Sequence, residues 1–273
     1  MKAARFDYVK AASTAEVVSL LAQSDGMGKV VAGCQSLGPM LNLRLVQPDL
    51  LVDITGIPEL KRVEVGKDAI VIGACVTHAD IEDGRVPDVT RGALSKVARG
   101  IAYRAVRNRG TIGGSLVHAD PSADWISSLA ALGAEVIIAG PAGKRRLAIE
   151  DFMTGVFETA LEPGEMLEAV RIPRLSDGAR WGYHKLCRKT GEFAHAIGVV
   201  LHDPDRKVCR VVIGATEAKP IIVTDARSLF GEGRKLDVDA AHKLLADAGL
   251  DDALDNQIHI AALKRAVDRA EQS

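Results

Sequence analysis

Residues 106–125 read VRNRGTIGGSLVHADPSADW, and in this stretch neither a period of two nor one of 3.6 survives. From Ile101 to Asp124 glycines, arginines and small polar residues accumulate, and an irregular run inside a compact chain is where function is usually carried. Gly110-Thr111-Ile112-Gly113-Gly114-Ser115 sets two adjacent glycines between hydroxyls. A backbone can approach a ligand closely there, while Thr111 and Ser115 donate to phosphate or polyol oxygens. A tight turn accounts for the same residues equally well. Asp120-Pro121-Ser122-Ala123-Asp124 follows at once, ahead of Trp125, Leu129 and Leu132 at helical spacing. Asp124 is most simply the N-cap of that helix; the functional alternative has either carboxylate accepting from ligand hydroxyls.

Upstream, Ala32-Gly33-Cys34-Gln35-Ser36-Leu37 lies where a strand over 29–32 hands over to a helix over 37–45. Amides at such a turn point outward and the helix start carries partial positive charge, so a phosphate can sit there without a lysine. Gly33 and Gly38 are spaced as in a P-loop, but Pro39 stands where lysine is needed, and neither glycine segment is G-x-G-x-x-G. Nucleotide hydrolysis and a Rossmann dinucleotide fold both lose support. The two glycine segments can instead close on one pyrophosphate from opposite sides.

Around these segments, Ser13-Thr14-Ala15-Glu16 fits a capping box for a helix ending near Gly26, and a strand over 50–54 completes a β-α-β unit. Strands over 60–65 and 69–72 flank a hairpin turn at Gly66-Lys67-Asp68. Thr77 to Asp80 caps a short helix, residues 89–98 form a longer one, and a strand over 135–138 precedes a turn at Pro141-Ala142-Gly143. A boundary falls around Pro173 to Gly178. Beyond it, strands over 182–186, 196–201 and 208–213 form an antiparallel sheet, with helices near 224–230, 238–248 and 257–270 to cover one side. The run from Lys185 to Ala194, KLCRKTGEFA, is basic and ends on the aromatic Phe193; by itself it is a solvated strand end.

The 273 residues are 47% hydrophobic and 26% charged, which excludes collagen-like and disordered classes. Lys+Arg 35 against Asp+Glu 36 leaves a net charge of −1 and no basic footprint for nucleic acid. No apolar run approaches ~20 residues, so no transmembrane segment is expected. The N-terminus lacks the apolar core of a cleaved signal, which points to the cytoplasm. Cys34, Cys75, Cys187 and Cys209 lie 22 or more residues apart without a C-x-x-C pair, and His78, His118 and His195 stand singly, so this chain is expected to hold no metal. No general acid or base is nominated.

Three blocks in order, AGCQSLGPMLNLRLVQPDLLVDI at 32–54, VRNRGTIGGSLVHADPSADW at 106–125 and KLCRKTGEFAHAIG at 185–198, resemble the FAD-binding medium subunit of the molybdenum hydroxylases. That is the family of xanthine dehydrogenase and carbon monoxide dehydrogenase, and the likeness covers essentially the whole chain. The resemblance implies an α+β chain: a split FAD-binding domain of the vanillyl-alcohol-oxidase (PCMH) type over 1–175, in two subdomains of about 1–55 and 56–175, then a smaller α+β domain over 176–273. It implies that Ala32, Gly33, Cys34, Gln35 and Ser36 hold the FAD pyrophosphate together with Thr111, Ile112, Gly113, Gly114 and Ser115. Asp124 matches an acidic ligand of the cofactor's hydroxyls, Lys185 a flavin-proximal lysine, and Phe193 an aromatic lying against the isoalloxazine. The implied contact set is completed by Lys29, Val30, Val31, Leu37, Ile101, Ala102, Gly110, Ala119, Asp120, Ala123, Leu161 and Leu167.

The same resemblance implies electron transfer from [2Fe-2S] clusters on a small subunit, through FAD in this chain, to an external acceptor. A large subunit holds molybdenum–pterin, and the complex is a dimer of heterotrimers. The alternative is a stand-alone FAD oxidoreductase of the vanillyl-alcohol-oxidase type; a scaffold that has lost FAD is the non-enzymatic one. Cys34 stands where the family has glycine, and it is compatible with cofactor binding if its φ is negative.

Overall fold

The computed structural model describes residues 1–231 and 234–273. It begins with a small parallel sheet in which β1 (Asp7–Lys10), β2 (Gly28–Val31) and β3 (Leu50–Asp53) pair in the order β1-β3-β2, joined by α1 (Thr14–Gln23) and α2 (Leu37–Asn42). Ser13 caps α1 by accepting from Glu16 N, but the Glu16 carboxylate returns to Ala12 N, one residue earlier than a capping box requires. α1 packs Val17 and Leu21 on one face of the sheet with Val52 and Ile54, and α2 packs Leu41 on the other with Val31 and Leu51. α2 stops three residues short of the expected 45, because Arg44 turns the chain with a φ of +58°. β1 went unread because three of its four side chains are exposed and no alternation marks it.

The chain continues through β4 (Val63–Val65), β5 (Ala69–Gly73), α3 (His78–Glu82), α4 (Ala93–Arg99), α5 (Arg104–Arg107), α6 (Ile112–His118) and α7 (Asp124–Leu132). After these come β6 (Glu135–Gly140), β7 (Gly143–Ala148), α8 (Ile149–Phe152), the small hairpin β8 (Met153–Gly155) with β9 (Glu158–Thr159), and β10 (Met166–Pro173). Five of these strands form an antiparallel sheet in the order β4-β5-β10-β6-β7. The expected hairpin at Gly66 is the β4–β5 turn. Two expectations fail. The run from Ile101 to Asp124 contains α5 and α6, helices of 4 and 7 residues that are too short to print a period on the sequence. α4 begins at Ala93 and not near 89, since Arg91 and Gly92 both have positive φ.

The C-terminal sheet is antiparallel, in the order β11 (Arg180–Leu186), β12 (Ala196–Asp203), β13 (Val208–Gly214), β14 (Ile221–Val223), followed by α9 (Val238–Asp247) and α10 (Ala253–Ala270). The helix expected near 224–230 is only a 3-10 turn at Arg227–Leu229. α10 lies on one face, brought unusually close because Gly198 and Gly182 carry no side chain: a Cβ there would stand 2.6 Å from Leu263 Cα and 1.8 Å from Ala266 O. The other face is covered by α7, whose 9 residues are all buried. One apolar cluster therefore runs from Ile70 and Val136 of the five-stranded sheet, through Trp125 and Leu129, to Val199 and Val212 of the C-terminal one.

Candidate functional site

The first turn is built by β2 handing over to α2. The amides of Gly33, Cys34, Gln35, Ser36 and Leu37 have no acceptor among the described residues; Ser36 leaves α2 without a side-chain cap, and Gln35 Nε2 bonds back to Gly33 O at 2.9 Å. Cys34 has a φ of +60°, which overturns the expectation of a negative value. It sits in the left-handed region at a cost of ~1–2 kcal/mol, and Ser36 returns to the right-handed region as α2 begins. The Cys34 side chain packs beside Val31, Leu41 and Leu51, and burial pushes its thiol pKa up.

The second glycine segment differs from its reading as a loop. Thr111 is the N-cap of α6, its hydroxyl accepting from Gly114 N at 3.0 Å, while Ile112 N and Gly113 N bond Val76 O and Ala74 O, both at 3.0 Å. The amides of Ile112, Gly113 and Gly114 are thus paired within the protein. What this segment offers outward is the bare backbone of Gly114, which is exposed, and the half-buried Ser115. Ile112 points into the core, and Gly113 is pressed on Ala74, where a Cβ would meet Ala74 Cβ at 2.5 Å. Behind Gly110 the ring of His78 accepts from Trp125 Nε1 at 3.1 Å; burial, assisted by Arg107, holds that imidazole down at about 4, hence neutral. The two segments touch directly, since a Cβ on Gly33 would stand 2.0 Å from Arg109 O.

Asp124 is not the N-cap of α7. Ala123 holds that position without a side-chain bond, and Asp124 turns its carboxylate toward β11. There it takes the Lys185 ammonium at 3.0 and 3.1 Å and the Tyr183 hydroxyl, while Lys185 Nζ also reaches Gly100 O at 3.2 Å. Burial pushes the Asp124 carboxyl up, against the pull of Lys185. Gly100 leads into Ile101 and Ala102, whose carbonyls accept from Arg107 at 2.8 and 2.9 Å, and a Cβ on Gly191 would stand 2.6 Å from Ala102 O. The loop after β11 is thereby fixed against this segment, and Phe193 on it is 66% exposed.

Of the remaining expected contacts, Lys29 is exposed, Val30 and Leu161 are half-buried, and Asp120 accepts from Ser122 N at 2.9 Å. Val31, Ala119 and Leu167 are core side chains and can meet a ligand only through their backbone. Arg107 and Tyr183 were missed. Tyr183 stands two residues before Lys185 on a strand, which already places both on one face.

Residues 4–175 match the family described as the FAD binding domain in molybdopterin dehydrogenase. The chain belongs to that family. It is 36% identical to the carbon monoxide dehydrogenase medium chain of Hydrogenophaga pseudoflava over 79% of this chain and 76% of that one. The solved structure of carbon monoxide dehydrogenase from Hydrogenophaga pseudoflava, in the form lacking the Mo-pyranopterin moiety, superposes with a TM-score of 0.90 at 30% identity, covering 100% of this chain and 99% of the other. Quinoline 2-oxidoreductase from Pseudomonas putida 86 does so with 0.87 at 32% identity and the same coverage. The fold is thus the FAD-binding medium-subunit fold of the molybdenum hydroxylases, and the chain is an oxidoreductase component. No helix among the described residues is long and apolar enough to cross a membrane.

Proposed function

We propose that this chain is the FAD-carrying electron-transfer subunit of a molybdenum hydroxylase complex, taking electrons from [2Fe-2S] clusters of a small partner subunit and delivering them to an external acceptor. The observation that carries this reading is the run of five amides from Gly33 to Leu37 without an acceptor among the described residues, locked against Arg109 and Gly110. Such a run of free donors at a strand-to-helix turn fits a pyrophosphate without a lysine. FAD supplies one- and two-electron redox chemistry when bound, and the protein supplies binding and orientation.

In this reading Ala32 to Ser36 carry the pyrophosphate, and Gly114 and Ser115 close the cradle from α6. The Ile101–Ala102 backbone and Phe193 border the isoalloxazine. Asp124 and Lys185 act as a matched pair that anchors the backbone at Gly100, and Lys185 is the member that would serve as the flavin-proximal lysine. The division at about residue 175 separates the part that holds the cofactor from the part that completes its pocket. Relatives named for carbon monoxide and for quinoline share the fold, which supports a substrate site on the large molybdenum–pterin subunit and not here.

Isolation of the native assembly from the cytoplasm tests the proposal. The expected result is a dimer of heterotrimers in which this chain accompanies a large molybdenum–pterin chain and a small iron–sulfur chain. A monomer that turns over substrate alone contradicts it and favours a stand-alone flavoenzyme.

A further inference from the structure

Arg180, His202 and Cys209 pair side by side across β11, β12 and β13, one row beyond the place where α10 settles onto Gly182 and Gly198. At this row the helix reaches its end, Ala270 and Glu271, and the sheet face is left partly uncovered. A cleft of about 240 Å³ opens there between the sheet, the helix end and the residues Arg227, Phe230, Gly231 and Arg234. Its floor is apolar, made by Val200, Cys209, Phe230, Val267 and Ala270.

Among the described residues the lining carries more positive than negative charge: three guanidiniums, from Arg180, Arg227 and Arg234, and one carboxylate, Glu271, which Arg180 holds at 3.1 Å. Asp225 lies outside the lining and binds Arg227 through Nε and Nη2, so Nη1 is the Arg227 donor without an acceptor among the described residues. His202 Nδ1 is buried and has no hydrogen-bond partner among the described residues. Burial, with the charges of Arg234 and Arg180, keeps the imidazole pKa below its ordinary value, so the ring is neutral at pH 7 and adds no charge.

A cation is repelled by such a lining, and a bare phosphate leaves the apolar floor unused. An anion with an apolar body satisfies both. An apolar cavity of ~150 Å³ takes up benzene, so 240 Å³ accommodates a ring bearing a carboxylate. We propose that this cleft binds a small organic acid, aromatic or branched aliphatic, with its carboxylate between Arg227 and Arg234 and its body on Phe230 and Val267. The cleft opens on the α10 face of the sheet, whereas Tyr183 and Lys185 alternate onto the α7 face.

Calorimetric titration of the full-length chain with benzoate, benzyl alcohol and inorganic phosphate tests the assignment. Benzoate is expected to bind with a Kd of about 1 mM or lower, and the other two probes at least ~10-fold more weakly. The double variant Arg227→Gln/Arg234→Gln, altered on exposed side chains, should lose benzoate affinity at least ~10-fold with flavin content and circular dichroism unchanged. Absence of benzoate binding at ~20 mM, unchanged binding by the double variant, or phosphate binding as tightly as benzoate overturns the proposal.

Discussion

Lys185 Nζ lies 3.0 and 3.1 Å from the two carboxylate oxygens of Asp124, an ion pair more than nine-tenths buried that ties β11 to the first turn of α7. Removing one partner strands the other charge. Lys185→Met is expected to cost about 3–5 kcal/mol in urea unfolding, and Lys185→Met/Asp124→Leu to recover most of it. In the single variant the Asp124 carboxyl loses its counter-charge, so its folded pKa rises further above the unfolded one. Between those values the folded chain binds more protons, so the deficit should shrink as pH falls from 8 to 5. A deficit that does not vary with pH would show that Asp124 is solvated.

Cys34 occupies a left-handed conformation at φ +60°. Cys34→Gly is therefore expected to raise stability by ~1 kcal/mol and the Tm by ~2–4 °C, while keeping FAD. Cys34→Val, branched at Cβ, should lose stability. Equal stabilities for the three chains would contradict the backbone assignment.

His78 is held near 4 from an ordinary 6.5. A depressed pKa means that the unfolded chain binds the proton first, so this contribution is complete above pH 6.5 and fades as pH falls toward 4. At ~1.36 kcal/mol per unit it amounts to on the order of 3 kcal/mol. His78→Gln should flatten that part of the stability–pH profile. The slope should persist in part because His184, buried beside Arg269 and Arg265, is likewise held near 4. An unaltered profile would mean that His78 titrates normally.

Gly33 and Gly114 separate architecture from binding. A Cβ on Gly33 would stand 2.0 Å from Arg109 O, so Gly33→Ala should prevent the two segments from meeting and lower stability. At Gly114 the nearest atom is Thr111 Oγ1 at 2.9 Å, on an otherwise exposed face. Gly114→Val should fold and fail to retain flavin, and normal flavin content in that variant would remove α6 from the cradle.

Phe193→Ala, on a side chain 66% exposed, should leave urea stability within ~0.5 kcal/mol of wild type while altering the visible spectrum of bound flavin. An identical spectrum would count against stacking.

The parts of this arrangement that sequence makes legible are local. The turn at Ala32 to Leu37 is marked by its glycine and by flanking changes of period, and the β4–β5 turn by Gly66-Lys67-Asp68. The pairing of Asp124 with Lys185 was hidden because the partners are 61 residues apart and a local N-cap explained Asp124 well enough. β7 carries Lys144, Arg145 and Arg146 on a sheet edge, where polar residues guard against association and erase the strand pattern. The second cover of the C-terminal sheet was hidden because α7 belongs to an earlier part of the chain. The left-handed Cys34 has no signature in residue types, which predict glycine or asparagine there.

Quantifying the FAD released on acid denaturation of the purified chain, before and after incubation with excess FAD, tests whether FAD sits on the amides of Gly33 to Leu37. About one FAD per chain is expected for wild type and almost none for Gly114→Val at equal folding. A wild-type chain that stays colourless and FAD-free after incubation would contradict that placement.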